Sequence, residues 1–81
     1  MKRCYFVYDY DPSEGGIALV SSSVREARSW GWKKGPWMPE HFFDIRARWL
    51  RNVDVSDKPI GYEFPYEEGV LRGAYLNEAE I

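Results

Sequence analysis

Hydrophobic and polar positions divide this 81-residue chain into segments of different period. The run Arg3-Cys4-Tyr5-Phe6-Val7-Tyr8-Asp9-Tyr10 is aromatic or β-branched at most positions and stops at Asp11-Pro12. Such side chains fit a pleated surface, so the run predicts a strand. Residues 11 to 16, Asp-Pro-Ser-Glu-Gly-Gly, carry the residue types that preset or permit turn dihedrals, and the chain is expected to reverse there. Ile17-Ala18-Leu19-Val20 then returns as a second strand, because antiparallel neighbours need only a short connection.

The period changes at Ser23. Ser23-Val24-Arg25-Glu26 has the form of a capping box, in which each end residue's side chain accepts from the other's backbone N–H, so a helix of about ten residues is expected. Val24, Ala27 and Gly31 share one stripe of it, and Gly35-Pro36 ends it. The stretch from Gly31 to Glu40 is turn-rich and unusually dense in Trp and Lys. From Phe43 onward the pattern alternates strictly. Phe43, Ile45, Ala47 and Trp49 fall on one side, with Asp44, Arg46 and Arg48 on the other, which predicts a third strand over 42 to 51 with its apolar side on the core. Residues 52 to 61 read as a loop. Residues 65 to 76 suit a second helix, with Pro65 in its first turn and Glu67 and Glu68 near the positive end of its dipole, although Gly69 and Gly73 each cost about 1 kcal/mol there.

The order β-β-α-β-α predicts one α+β domain over residues 1–81, with helices on one face of a small, mostly antiparallel three-stranded sheet. Composition sharpens this picture in one respect. A chain of this length buries only about 60 to 65% of the surface that its unfolded form exposes. Four Trp, six Tyr and four Phe make up 17% of the residues. Either the large rings compensate for the small core, or some remain half exposed as a contact surface for a partner or a second copy.

Charge is distributed unevenly. Residues 25 to 51 hold seven basic and three acidic groups, whereas residues 52 to 81 hold two and seven. A basic middle and an acidic end suit solvated faces, an anion, or an acidic neighbour that includes another copy's tail. The single cysteine excludes an internal disulfide, and no early apolar run has the length of a signal or a membrane span. A cytoplasmic protein with no membrane association is therefore expected.

Candidate chemistry is sparse. Cys4 and His41 are the one thiol and the one imidazole. No orienting motif joins them, so Cys4 is expected to be a small buried hydrophobe and His41 to be structural or solvent exposed. No metal-ligand spacing, phosphate loop or dinucleotide fingerprint is present, and the expectation is a non-enzyme without metal or cofactor. The Trp-rich stretch supplies the leading candidate surface, Trp30, Trp32, Lys33, Lys34 and Trp37, for a protein partner or a homodimer. Arg46, Arg48 and Arg51 on the third strand supply a second candidate, a weak nucleic-acid contact, which the acidic whole-chain pI near 5.3 ranks below the first.

Three segments together resemble small uncharacterised proteins of phage and archaeal origin. They are Ser23-Val24-Arg25-Glu26-Ala27-Arg28, Asp44-Ile45-Arg46-Ala47-Arg48 and Glu67-Glu68-Gly69-Val70-Leu71-Arg72-Gly73. The resemblance implies a compact β-α-β-α core and brings no activity, cofactor or functional residue with it. The aromatic surplus in the Trp-rich stretch carries the leading expectation, a non-catalytic interaction module: a homodimer, adaptor or inhibitor.

Overall fold

A computed structural model of the chain describes residues 1–11, 15–51 and 53–64. The second helix expected over 65 to 76 lies outside the described residues. Within them the fold is α+β. Strand β1 (Arg3–Asp9) pairs antiparallel with β2 (Ile17–Ser21) on one side and with β3 (Ile45–Trp49) on the other, giving the order β2-β1-β3.

The central position of β1 explains its composition. Cys4, Phe6 and Tyr8 point to one face of the sheet and Tyr5 and Val7 to the other, and all five are buried. A strand covered on both faces has no solvent side to mark with polar residues, hence the unbroken apolar run. The first face is closed by the segment after β3: Leu50, Val53, Val55, Tyr62 and Phe64 pack over Cys4, Phe6, Ala18 and Val20. The second face is closed by helix α1 (Val24–Lys34), which seats Ala27 against Tyr5, Val7, Leu19 and Ile45.

Helix α1 starts where its cap requires. The Glu26 amide donates to the Ser23 hydroxyl at 3.1 Å, and Ala27 N–H reaches the Ser23 carbonyl. The reciprocal half of the expected capping box differs, because the Glu26 carboxylate accepts from the Ser22 hydroxyl at 2.8 Å. The helix continues through Lys34 and ends as the Gly35 amide donates to the Gly31 carbonyl at 3.1 Å. Trp32, Lys33 and Lys34 thus ride on its last turn rather than in a loop. Arg28 ties the helix to the sheet, its Nε donating to the Ile45 carbonyl at 2.8 Å.

The third strand is shorter than the alternation implies. Residues Phe42–Asp44 form a 3-10 turn, with the Asp44 amide on the His41 carbonyl at 3.0 Å, and β3 begins only at Ile45. The change coincides with the end of its neighbour: β1 stops at Asp9, and the Tyr10 amide makes a last bond to the Asp44 carbonyl at 2.8 Å. Tyr10 then turns with a left-handed φ of 63°, so among the described residues no strand continues beside Phe42 and Phe43. Phe43 consequently leaves the core side altogether. Beyond β3 the chain crosses the sheet and, after Gly61 at φ 96°, runs along the outer edge of β2. There Gly61 N–H donates to Val20, Val20 N–H to Tyr62 and Phe64 N–H to Ala18, at 2.8 to 3.0 Å. An edge covered in this way is not open to strand addition.

Candidate interaction surface

Candidate residues from the Trp-rich stretch separate into two groups. Trp30 and Trp37 are half-buried and pack against the α1 side of the core. The Trp37 ring lies over Gly35 and Gly31, where a Cβ on Gly35 would come within 2.5 Å of it. These two indoles belong to the fold. Trp32 is 41% exposed, and Lys33 and Lys34 are exposed beside it.

Trp32 does not stand alone. Its ring meets Phe42 edge-on, with centroids 5.9 Å apart, and the Arg28 guanidinium lies 4.8 Å from the Phe42 centroid. Phe43, next in the chain, is 64% exposed and stacks on His41 at 5.0 Å with the rings nearly parallel. Met38, in the same connection, is 96% exposed. The last turn of α1 and residues 38 to 43 thus carry four exposed large apolar side chains, Trp32, Met38, Phe42 and Phe43, of which Trp32 and Phe42 are in contact. Phe42, Phe43 and Met38 escape the sequence reading, since alternation assigns Phe43 to the core. The signal that could have found them is the density of turn residues immediately before Phe42, which argues against a strand already paired there.

The three arginines of the second candidate do not share one face. Arg46 lies over the Tyr10 ring at 5.4 Å, and Arg48 Nε donates to the Tyr8 hydroxyl at 3.0 Å. Both project from the Phe6–Tyr8 side of the sheet, because the register pairs Arg46 with Tyr8 and Arg48 with Phe6. Arg51 falls on the opposite side with Trp49, 5.2 Å from that ring's centroid, and Arg3 covers the same ring at 4.0 Å.

Cys4 and His41 are not brought together. Cys4 is fully buried opposite Val20, at the end of β1 that meets Leu50, whereas His41 is exposed before the start of β3. Burial pushes the Cys4 thiol up from 9.0 to about 12. The folded chain therefore holds that proton over a pH range in which the unfolded chain has released it, and the group's contribution to stability is lost as pH rises above about 9. Cys4 is expected to react with a thiol reagent at pH 8 only as fast as the protein unfolds, and Cys4→Ala should flatten the fall in stability above pH 9. Rapid labelling of the native chain would contradict this burial.

Among the described residues no three His, Cys, Asp or Glu side chains converge in a way that could hold a metal ion, and no helix is long and apolar enough to cross a membrane. Asp54 accepts from the Ser56 amide at 3.0 Å, which holds its carboxyl below the usual carboxylate range and closes a turn. No protein-family model matches the chain, and comparison with curated proteins and with solved structures finds no match.

Proposed function

We propose that this protein is a non-catalytic interaction module that pairs with a second copy of itself through the Trp32–Phe42–Phe43 surface. The observation that carries the reading is the edge-on Trp32–Phe42 pair, 41% and 40% exposed, followed in the chain by Phe43 at 64%. Large apolar side chains gathered at one site are what an interface core uses, and a single isolated ring would need no explanation. Charge favours self-pairing as the source of the partner. Residues 25 to 51 carry seven basic against three acidic groups and residues 52 to 81 carry two against seven, so two copies offer each other opposite charge. A twofold pair can satisfy both copies with the same contact made twice.

Light scattering and sedimentation of the full chain test the reading. The wild type is expected to approach twice its 9.5 kDa mass as concentration rises, and added salt should weaken the pair. Phe43→Ser and Trp32→Ala, each removing about 2 kcal/mol of contact, are expected to raise the dissociation constant about thirtyfold with little change in melting temperature. Trp37→Ala should do the reverse, lowering folding stability by about 2 kcal/mol because that ring is packed on the core. A chain that stays monomeric at high concentration ends the self-pairing reading, and capture of a different acidic protein by the same residues would replace it.

A further inference from the structure

A second site lies at the other end of β3. Antiparallel register continues past Trp49, with the Leu50 amide donating to the Cys4 carbonyl at 2.8 Å, and this sets Arg51 across from Arg3. Both guanidinium groups converge on one indole, at 4.0 and 5.2 Å from the Trp49 centroid. Stacking on a ring occupies the flat face of a guanidinium and leaves its N–H edges free to donate. Among the described residues the one ion pair is Lys58 with Asp57, so neither Arg3 nor Arg51 meets a carboxylate within ion-pair distance there.

These side chains border an open groove of about 590 Å³ whose lining also includes Lys2 and Asp54. Lys2 Nζ donates to the Ser56 and Lys58 carbonyls at 3.2 and 2.7 Å, fixing an ammonium at the rim. The Asp54 carboxylate is turned into its own loop by the Ser56 amide. Three cations and one carboxylate leave the lining at +2 in a chain whose net charge is −2. Trp49 is 41% exposed, so part of the residue between the two donors remains open to solvent.

From this juxtaposition we infer that the Arg3–Trp49–Arg51 groove binds the sugar-phosphate backbone of single-stranded nucleic acid. Two guanidinium groups held against one ring repel each other, and an oxyanion bridging their N–H edges removes that repulsion. Phosphate with a neighbouring flat base matches donors with neighbouring indole, which is the pairing that single-strand binders use. A groove open at the surface suits a strand passing through it better than an enclosed small molecule. The site is separate from the Trp32–Phe43 surface and shares no residue with it. Arg46 and Arg48, over Tyr10 and bonded to Tyr8, lie on the other side of the sheet and so do not contribute to this groove.

Fluorescence anisotropy of labelled oligothymidylate with the full chain tests the inference. Binding is expected at low salt and, for two phosphates neutralised, should weaken about sevenfold between about 50 and about 200 mM salt. Arg3→Gln and Arg51→Gln should each lower affinity about fivefold and lower the salt slope by about one phosphate's share. Arg46→Gln and Phe43→Ser should leave it within about twofold, and Trp49 fluorescence should change on binding. Absence of binding at low salt overturns the inference, as does equal loss from Arg46→Gln. Equally tight binding of a polyglutamate peptide of the same charge would assign the groove to acidic protein segments instead.

Discussion

Replacing Phe6 with Ala is expected to remove about 3 to 5 kcal/mol of folding stability. At about 0.05 to 0.15 kcal/mol per residue, an 81-residue chain has about 4 to 12 kcal/mol in all, so the loss takes at least about a quarter of the stability and, at the lower end, all of it. Phe6 sits at the middle of the middle strand, opposite Ala18 on β2 and Arg48 on β3. Neither neighbour can refill the space. Ala18 is too small, and Arg48 is held by the Tyr8 hydroxyl. The Tyr8 ring packs on Phe6 at 5.7 Å between centroids, and the Gly16 backbone presses so close that an added Cβ there would meet the Phe6 ring at 2.9 Å. Thermal unfolding followed by circular dichroism should place the midpoint at least about 12 °C lower, if the variant folds at all. Met38→Ala, at a nearly fully exposed position, should stay within about 0.5 kcal/mol of wild type. A Phe6→Ala loss under about 1 kcal/mol would mean that the core is centred elsewhere.

Much of this architecture is legible in the residue pattern. The unbroken apolar run of β1, the Asp-Pro and Gly-Gly punctuation after it and the Ser23 cap each report a local preference, and local preference suffices where neighbours agree with it. The hairpin, the helix and its stop at Gly35 follow. The third strand shows where such reading fails. A period of two states that Phe43, Ile45, Ala47 and Trp49 share a side, but it carries no information on how far the covering layer extends. Among the described residues that layer is one 11-residue helix, roughly 16 Å long; Ile45 is buried, Ala47 half-buried, and Trp49 lies under the arginines. Phe43 departs for a different reason: β1 ends at Asp9 and turns at Tyr10, so among the described residues no strand lies beside position 43.

The same distinction governs the candidate sites. That fourteen rings exceed what a small core encloses is an argument from area alone, and the exposure of Trp32, Phe43 and Trp49 agrees with it. Which rings remain outside is a question of tertiary contact, and no pattern in the Trp-rich stretch separates Trp37, folded back over Gly35, from Trp32. The arginine pair at Trp49 is hidden for another reason. Arg3 and Arg51 lie 48 positions apart in the sequence and meet only through the β1–β3 register, so neither marks the other until the pairing is known. The acidic overall charge hides it further, since a local excess of two cations vanishes in a chain-wide sum.

Gly31 offers the sharpest test of how the helix sits on the sheet, because two physical effects predict opposite signs. Helix propensity alone says that Gly31→Ala, in the interior of α1, should stabilise the protein by about 1 kcal/mol. Packing says otherwise. A Cβ on Gly31 would lie 2.7 Å from Ile45 Cγ2 and 2.8 Å from Val7 Cγ1, both on fully buried side chains. Val and Ile are branched at Cβ and stiff at χ1, so neither methyl can swing aside. The helix would have to lift from the sheet, loosening Ala27 against Tyr5 and Leu19 and straining the Arg28 bond to the Ile45 carbonyl. Overpacking of this kind costs about 1 to 3 kcal/mol or more, which outweighs the propensity gain. Urea unfolding should therefore show Gly31→Ala less stable than wild type by about 1 kcal/mol and Gly31→Val less stable by about 3 kcal/mol. Pairing Gly31→Ala with Ile45→Ala removes one of the two obstructing methyls, so the double variant should lose less than the sum of the single losses by about 1 kcal/mol. If Gly31→Ala instead gains what propensity promises, α1 does not lie this close to β1 and β3, and the glycine is there for some reason other than contact.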